Sequence, residues 1–223
     1  MSRLIHWHEG LFLQPHHLQL FQKEVYDRVR YEKRYQMAYP CGVINMRVSE
    51  DDLENYRVRF ERLHVVMPSG LHFKFPEDAE LPSLDLKSIL TGRAESLRIY
   101  LAVPLWLDER RNTIEMGEDP GNTRVIFRVV ESMRADENSG EDKQPIQTRR
   151  INGYLSLDDQ DGPDFEYLPL LRISRVLSDE DAGRPRLDPK YSPPGLVLGG
   201  VPEIRLLVRD LAAQVTAVRQ ELA

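Results

Sequence analysis

From Gly42 onward the hydrophobic period of the chain shortens from about four residues to two, and this change limits the possible folds more than any other feature. Ile44, Met46 and Val48 alternate with polar neighbours, and so do Tyr56, Val58 and Phe60 with Arg57, Arg59 and Glu61. Side chains of an extended strand point to opposite faces in turn, so this alternation marks strands with one face in a core. The phase slips by one between Phe60 and Leu63-His64-Val65, which predicts a bulge. Pro68-Ser69-Gly70 followed by Leu71, Phe73 and Phe75 in alternation predicts a hairpin. Further strands are predicted at 97–105, 125–133, 151–157 and 170–177. Short strands punctuated by Pro, Gly and Asp, with one helix before them, predict a mainly β fold, an antiparallel sandwich or barrel. The polar stretch 134–143 is expected to be a mobile loop, and 158–166 a second, acidic turn.

Helices are predicted at both ends. Residues 1–15 are dense in large apolar groups but too short and too broken by Gly10 and Pro15 to be helical. Burying Trp7, Phe12 and Leu13 contributes roughly 2 kcal/mol each. The tail is therefore expected to be held against its own domain or a neighbour rather than to fray. Pro15 suits the first turn of a helix. From there Leu18, Phe21, Val25 and Val29 form one apolar stripe, with i,i+4 pairs Glu24–Arg28 and Arg28–Glu32, so a helix is predicted from Pro15 to Arg34 and stopped by Pro40. Near the other end Tyr191-Ser192-Pro193-Pro194-Gly195 predicts an irregular connector, and Pro202-Glu203 opens a second helix. There Ile204, Val208, Leu211, Val215, Val218 and Leu222 are spaced 4-3-4-3-4, the 3.5-residue seam of a helical bundle. Such a helix is marginal alone and needs partner helices. The seam still runs at Ala223, so identical chains are expected to supply the partners unless the chain has been cut.

Composition removes whole classes of function. With 41% apolar residues among 223, the chain can build a core, which excludes fibrous and wholly disordered proteins. The apolar stretches 101–107 and 195–201 are too short to cross a bilayer. Thirty Lys and Arg against 36 Asp and Glu give a net charge of −6, which argues against a general nucleic-acid binder. The single Cys41 excludes an intrachain disulfide and a Cys-rich zinc site, and no basic-then-apolar leader opens the chain, so a reducing, cytoplasmic location is expected. His6, His8, Glu9, His16 and His17 crowd together, but Gly10 and Pro15 separate the pairs and no helical His-x-x-x-His exists, so solvated histidines are expected and no metal. Asp158-Asp159-Gln160-Asp161-Gly162 fails as a calcium loop, because Leu157 and Leu168 fall at the essential ligand positions. No Gly-x-Ser-x-Gly, Walker loop or Gly-x-Gly-x-x-Gly is present. No catalytic residue and no cofactor are expected.

The opening Trp7-His8-Glu9-Gly10-Leu11-Phe12-Leu13-Gln14-Pro15-His16-His17-Leu18-Gln19 resembles the N-terminal signature of the TssK family, a baseplate subunit of bacterial type VI secretion systems. It departs mildly at Leu11, His16 and Leu18. The resemblance continues at Tyr39-Pro40-Cys41-Gly42-Val43 (with Cys41 where Trp is common), Pro68-Ser69-Gly70, Leu101-Ala102-Val103-Pro104-Leu105 and Tyr191-Ser192-Pro193-Pro194, and so spans the chain. It implies a non-enzymatic homotrimer. The implied fold is an antiparallel β-sandwich shoulder like that of phage receptor-binding proteins, followed by a helical neck and a head. It further implies that the shoulder docks on the TssF/TssG wedge and the head on the TssJ/TssL/TssM membrane complex, without membrane insertion or nucleic acid. On this reading 1–40 is the tail and helix, 41–190 the shoulder and 191–223 the connector and first neck helix, with the head absent. Trp7, Glu9, Gly10, Phe12, Leu13, Pro15, Leu18 and Phe21 are the expected partner-binding residues. Ile204, Val208, Leu211, Val215, Val218 and Leu222 are expected to carry oligomerisation through the neck. A phage-type adhesin is the alternative.

Overall fold

The computed structural model describes residues 4–90, 96–118, 124–157, 162–175 and 184–221. The chain divides into two compact units, 1–40 and 41–223.

The first unit is built on one helix, α1 (Pro15–Gln36). Gln14 is extended (φ −119°, ψ 156°), and Pro15 takes the first turn, where its missing N–H leaves no bond unmade. The Gln14 N–H donates to His17 Nδ1 at 3.1 Å, and the His17 N–H donates to the Gln14 carbonyl at 3.0 Å. Lys33 and Arg34 complement the negative end of the helix, two residues past the predicted stop.

The second unit opens with β1 (Gly42–Val48), α2 (Glu50–Glu54), β2 (Arg57–Val58), β3 (Phe60–Val66), β4 (His72–Phe75), β5 (Ala79–Glu80), β6 (Leu84–Asp85) and α3 (Lys87–Leu90). It continues with β7 (Ser96–Pro104), β8 (Thr113–Ile114), β9 (Phe127–Arg134), β10 (Gln144–Asn152), β11 (Tyr154–Ser156), β12 (Phe165–Arg175) and β13 (Pro185–Leu187). A 3-10 turn at Leu198–Gly200 leads into α4 (Pro202–Glu221). Two antiparallel sheets, ordered β1-β3-β4 and β11-β7-β12-β13, enclose the core. Phe60, Leu63, Val65 and Phe73 of the first share it with Ile99, Leu101, Val103, Leu168, Leu170 and Ile173 of the second. The mainly β sandwich expected from the alternation is therefore present. A third sheet, β5-β10-β9-β8, has an antiparallel centre and parallel outer pairs.

Register confirms several local expectations. The slip after Phe60 is a bulge: Arg47 pairs with Arg62 but Val48 with Phe60, leaving Glu61 extra. The Pro68-Ser69-Gly70 turn closes β3 on β4, with Met67 N–H donating to the Leu71 carbonyl at 2.8 Å. A second bulge places Leu170 unpaired between Pro169 and Leu171, and all three leucines at 168, 170 and 171 are buried.

Other expectations need correction. Tyr56 lies outside the strands, in the left-handed region at φ 61° just after α2. The helix α2 interrupts the alternation because Ser49 Oγ accepts the Asp52 N–H at 3.3 Å, three acidic residues fill its first turn, and Leu53 is buried. The strand predicted at 151–157 is the end of β10 and all of β11, parted at Gly153, and that predicted at 170–177 begins earlier, at Phe165. Its last residues, 176 and 177, and the acidic stretch 158–161 lie outside the described residues. Most of β10 went unpredicted because Gln144–Gln147 is exposed and carries no apolar face. The 134–143 stretch is a polar loop, as expected, at the tip of the β9–β10 hairpin, where Asp136 Oδ1 accepts the Asn138 and Ser139 N–H groups, each at 2.9 Å. Among the described residues, the strands paired with this hairpin are β8 at Phe127–Arg128 and β5 at Ile151–Asn152. Beyond them, Val129↔Arg149 to Arg134↔Gln144 is a two-stranded ribbon.

Candidate assembly surfaces

In the first unit the tail reverses at His8–Leu11, where the Leu11 N–H reaches the His8 carbonyl at 3.3 Å. Gly10 sits there at φ 80°, a conformation a residue with a Cβ adopts only at a cost. Trp7 and His17 rings lie 6.5 Å apart, which brings the tail to the first turn of α1. Leu4 shares a groove with Glu24, Asp27, Arg28, Tyr31, Glu32 and Tyr35. The tail therefore runs back along one flank of the helix. That flank is charged and internally paired, with Lys23–Asp27 at 3.5 Å and Glu24–Arg28 at 3.9 Å.

The apolar stripe of Leu18, Phe21, Val25 and Val29 lies about a quarter turn away and stays open. No residue of α1 is buried. Trp7 is 54% exposed and Phe12 80%, with Leu13, Glu9, Gly10 and Pro15 exposed beside them. The tail was expected to be held against its own domain or a neighbour; the turn is formed, and its large apolar groups Trp7, Phe12 and Leu13 face outward. Tyr26, Tyr31, Tyr35 and Tyr39 are exposed as well and were missed, since tyrosine breaks no period. Single exposed apolar residues are ordinary; a run of this size is what marks an interaction surface.

In the second unit α4 carries the other open surface. Val208, Leu211, Val215 and Val218 are exposed, Val215 at 69%, and Ile204 is half-buried where the helix leaves the domain. Leu222 lies outside the described residues. Leu206 and Leu207 are also exposed and widen the apolar arc beyond the predicted seam. Their adjacency to Ile204 and Val208 in sequence was the available clue.

The segments that carried the family resemblance form fixed joints within the second unit. In the 68–70 turn, the Ser69 N–H and hydroxyl donate to the two carboxylate oxygens of Glu166, both at 2.8 Å. Partial burial pushes the Cys41 thiol above its ordinary pKa, and the nearby Glu166 charge adds to this. Arg172 pairs with Asp188 at 2.7 Å and lies 5.4 Å over the Tyr191 ring. The connector is irregular, as expected, and is tied to β1: Val43 N–H donates to the Pro194 carbonyl at 2.8 Å, and Leu196 N–H to the Val43 carbonyl at 2.9 Å. Among the described residues no three His, Cys, Asp or Glu side chains converge as metal ligands. No helix of the described residues is long and apolar enough to cross a membrane.

Comparison with known proteins gives a consistent picture. The family described as bacterial type VI secretion, VC_A0110, EvfL, ImpJ, VasE matches residues 17–223. The type VI secretion system baseplate component TssK1 of Pseudomonas aeruginosa is 26% identical over 210 residues, covering 92% of this chain and 45% of the relative. The chain thus spans about half the length of the curated relative it matches. A cryo-electron microscopy structure of the TssK-TssF-TssG baseplate subcomplex superposes with a TM-score of 0.87 at 22% identity, over 100% of this chain and 71% of that one. A crystal structure of TssK gives 0.84 at 20% identity, over 99% and 50%.

Proposed function

This chain belongs to the bacterial type VI secretion family that takes in VasE and ImpJ, and from that premise we propose that it is the shoulder and first neck helix of a TssK-type baseplate subunit. It acts as a scaffold rather than as an enzyme. Residues 41–190 are the shoulder, 191–223 the connector and neck, and 1–40 an arm toward partners. The seam of α4 joins three copies of the chain. The tail with Trp7, Phe12 and Leu13, and the stripe with Leu18 and Phe21, meet TssF and TssG, as the TssK of the similar cryo-electron microscopy subcomplex is assembled with those two proteins. Contact with the TssJ/TssL/TssM complex falls to a head outside this sequence, and the subunit works on the cytoplasmic side.

One observation supports the reading: α1 and α4 each carry a stripe of exposed apolar residues. Exposed stripes of this kind are stabilised only on assembly. The test is co-expression with TssF and TssG candidates from the same organism, followed by affinity capture. Co-purification is expected, with loss on Trp7→Ala combined with Phe12→Ala while the thermal midpoint holds. Capture of neither protein sinks the proposal.

A further inference from the structure

The segment 188–201 is packed in a way that a hinge is not, and the geometry points to a rigid coupler: we propose that this strap fixes the axis of α4 to β1, so that a pull or twist on α4 reaches the sandwich undiminished. The proposal concerns α4 and its own domain and stands apart from the identity of any partner.

Three glycines of the strap and its seat have no room for a side chain. A Cβ on Gly42, which sits at φ 146°, would lie 2.7 Å from the Pro194 carbonyl oxygen. On Gly195 it would lie 2.4 Å from Val201 Cγ2, and on Gly200 2.6 Å from the Ile44 carbonyl oxygen and 2.8 Å from that of Val43. Gly199, in the same 3-10 turn, has nothing within 4 Å. The tightness lies between strap and β1 at Gly42 and Gly200, and inside the strap at Gly195, and is not a general property of a glycine-rich stretch.

The receiving strand is shaped to match. β1 is bulged between Val43 and Asn45, so Ile44 is an extra residue, and its carbonyl together with that of Val43 faces Gly200. Two hydrogen bonds and a parallel bridge, Val43 to Gly195, tie the strap to Val43, whose side chain is fully buried. The last link is Val201. Its side chain is 1% exposed, and its carbonyl accepts the Arg205 N–H at 3.1 Å in the first turn of α4. The plug in the domain and the first acceptor of the helix are one residue. A flexible linker shows the opposite traits, open glycines and unpaired backbone, and hinge residues need free φ and ψ.

The test measures the spread of α4 positions. Nitroxides are placed on Ser83→Cys, exposed between β5 and β6 of the second unit, and Gln214→Cys on α4, in a Cys41→Ser background, with labelled chain diluted in excess unlabelled chain. Pulsed electron-electron resonance then reads the distance distribution. The parent and Gly199→Ala should give one narrow distribution, and Gly200→Ala should broaden it about twofold as the linker regains freedom. A broad distribution in the parent, or an unchanged width in a folded Gly200→Ala, overturns the proposal. Should Gly200→Ala fail to fold, a Gly-Ser-Gly-Ser insertion between Val201 and Pro202 leaves the strap seated and frees the helix. It should broaden the distribution; a width as narrow as the parent's shows that something other than the strap holds the axis.

Discussion

Gly153 separates β10 from β11 at a point where both sheets of the core press on the backbone. A Cβ there would stand 2.5 Å from Phe73 Cζ and 3.1 Å from Leu101 Cδ1, and both side chains are fully buried. Neither can move away cheaply, so Gly153→Ala is expected to cost about 1–3 kcal/mol, read as a lower urea midpoint at unchanged slope. Gly199→Ala, with open space around it, should stay within about 0.5 kcal/mol. A second residue responds to pH. Burial first, then the charge of Lys74, holds the His64 imidazole below its ordinary pKa, with Asp78 and Glu77 pulling the other way. The unfolded chain binds this proton near about pH 6.5 and the folded one only lower. The contribution of His64 to stability is therefore level above that pH and falls as the pH drops between the two values. His64→Gln should flatten the decline in thermal midpoint between about pH 7 and about pH 5; an unchanged slope rules the group out. Neither residue was legible beforehand. Gly153 has an ordinary sequence context, and its constraint comes from a phenylalanine eighty positions away.

Elements with a strong period were the legible ones. For α1, Pro15 and the 3-4-4 spacing of its apolar residues fixed both type and length, and the structure extends it by two residues. The seam of α4 was equally plain. What failed were elements whose reason is not periodic: α2, held by one serine cap and one buried leucine, and β10, whose first half is held by its partner strand while only its inner end, Ile151–Asn152, is buried. The direction each apolar stripe faces was also beyond reach, since period gives a face but not what covers it. Substitutions separate the cases. Phe21→Ala, on the open stripe of α1, should change stability of the isolated chain by less than about 0.5 kcal/mol. Leu101→Ala, in the core, should cost about 2–5 kcal/mol. Comparable losses for both would mean that α1 is covered in solution. On α4, Leu211→Asp combined with Val215→Asp should abolish self-association in sedimentation while the unfolding midpoint of the sandwich holds.

At the scale of the molecule, alternation with Pro and Gly punctuation was enough to place the core in an antiparallel sandwich, but not to order its strands. The pairing of β7 with both β11 and β12 depends on contacts far apart in sequence, which no local pattern encodes. The segments of the family signature explain themselves only in three dimensions, as the Ser69–Glu166 joint and the seating of 191–196 on β1 show. The chain should associate as its concentration rises, giving a growing mass by light scattering. Because the α4 seam is apolar, added sulfate should strengthen that association, whereas an ion-paired interface would weaken. The β9–β10 ribbon adds a hazard of a different kind. Along Val130–Arg134 and Gln144–Thr148 no further strand of the described residues pairs with its two outer edges, which offer backbone donors and acceptors, the geometry from which sheets grow into insoluble fibres. Pro145 stands on one edge without an N–H to give, and Arg134 and Lys143 bring charge close to the tip. Replacing Pro145 with valine would restore a donor and a strong strand former at that place, turning a well-behaved ribbon into a seed for its own precipitation.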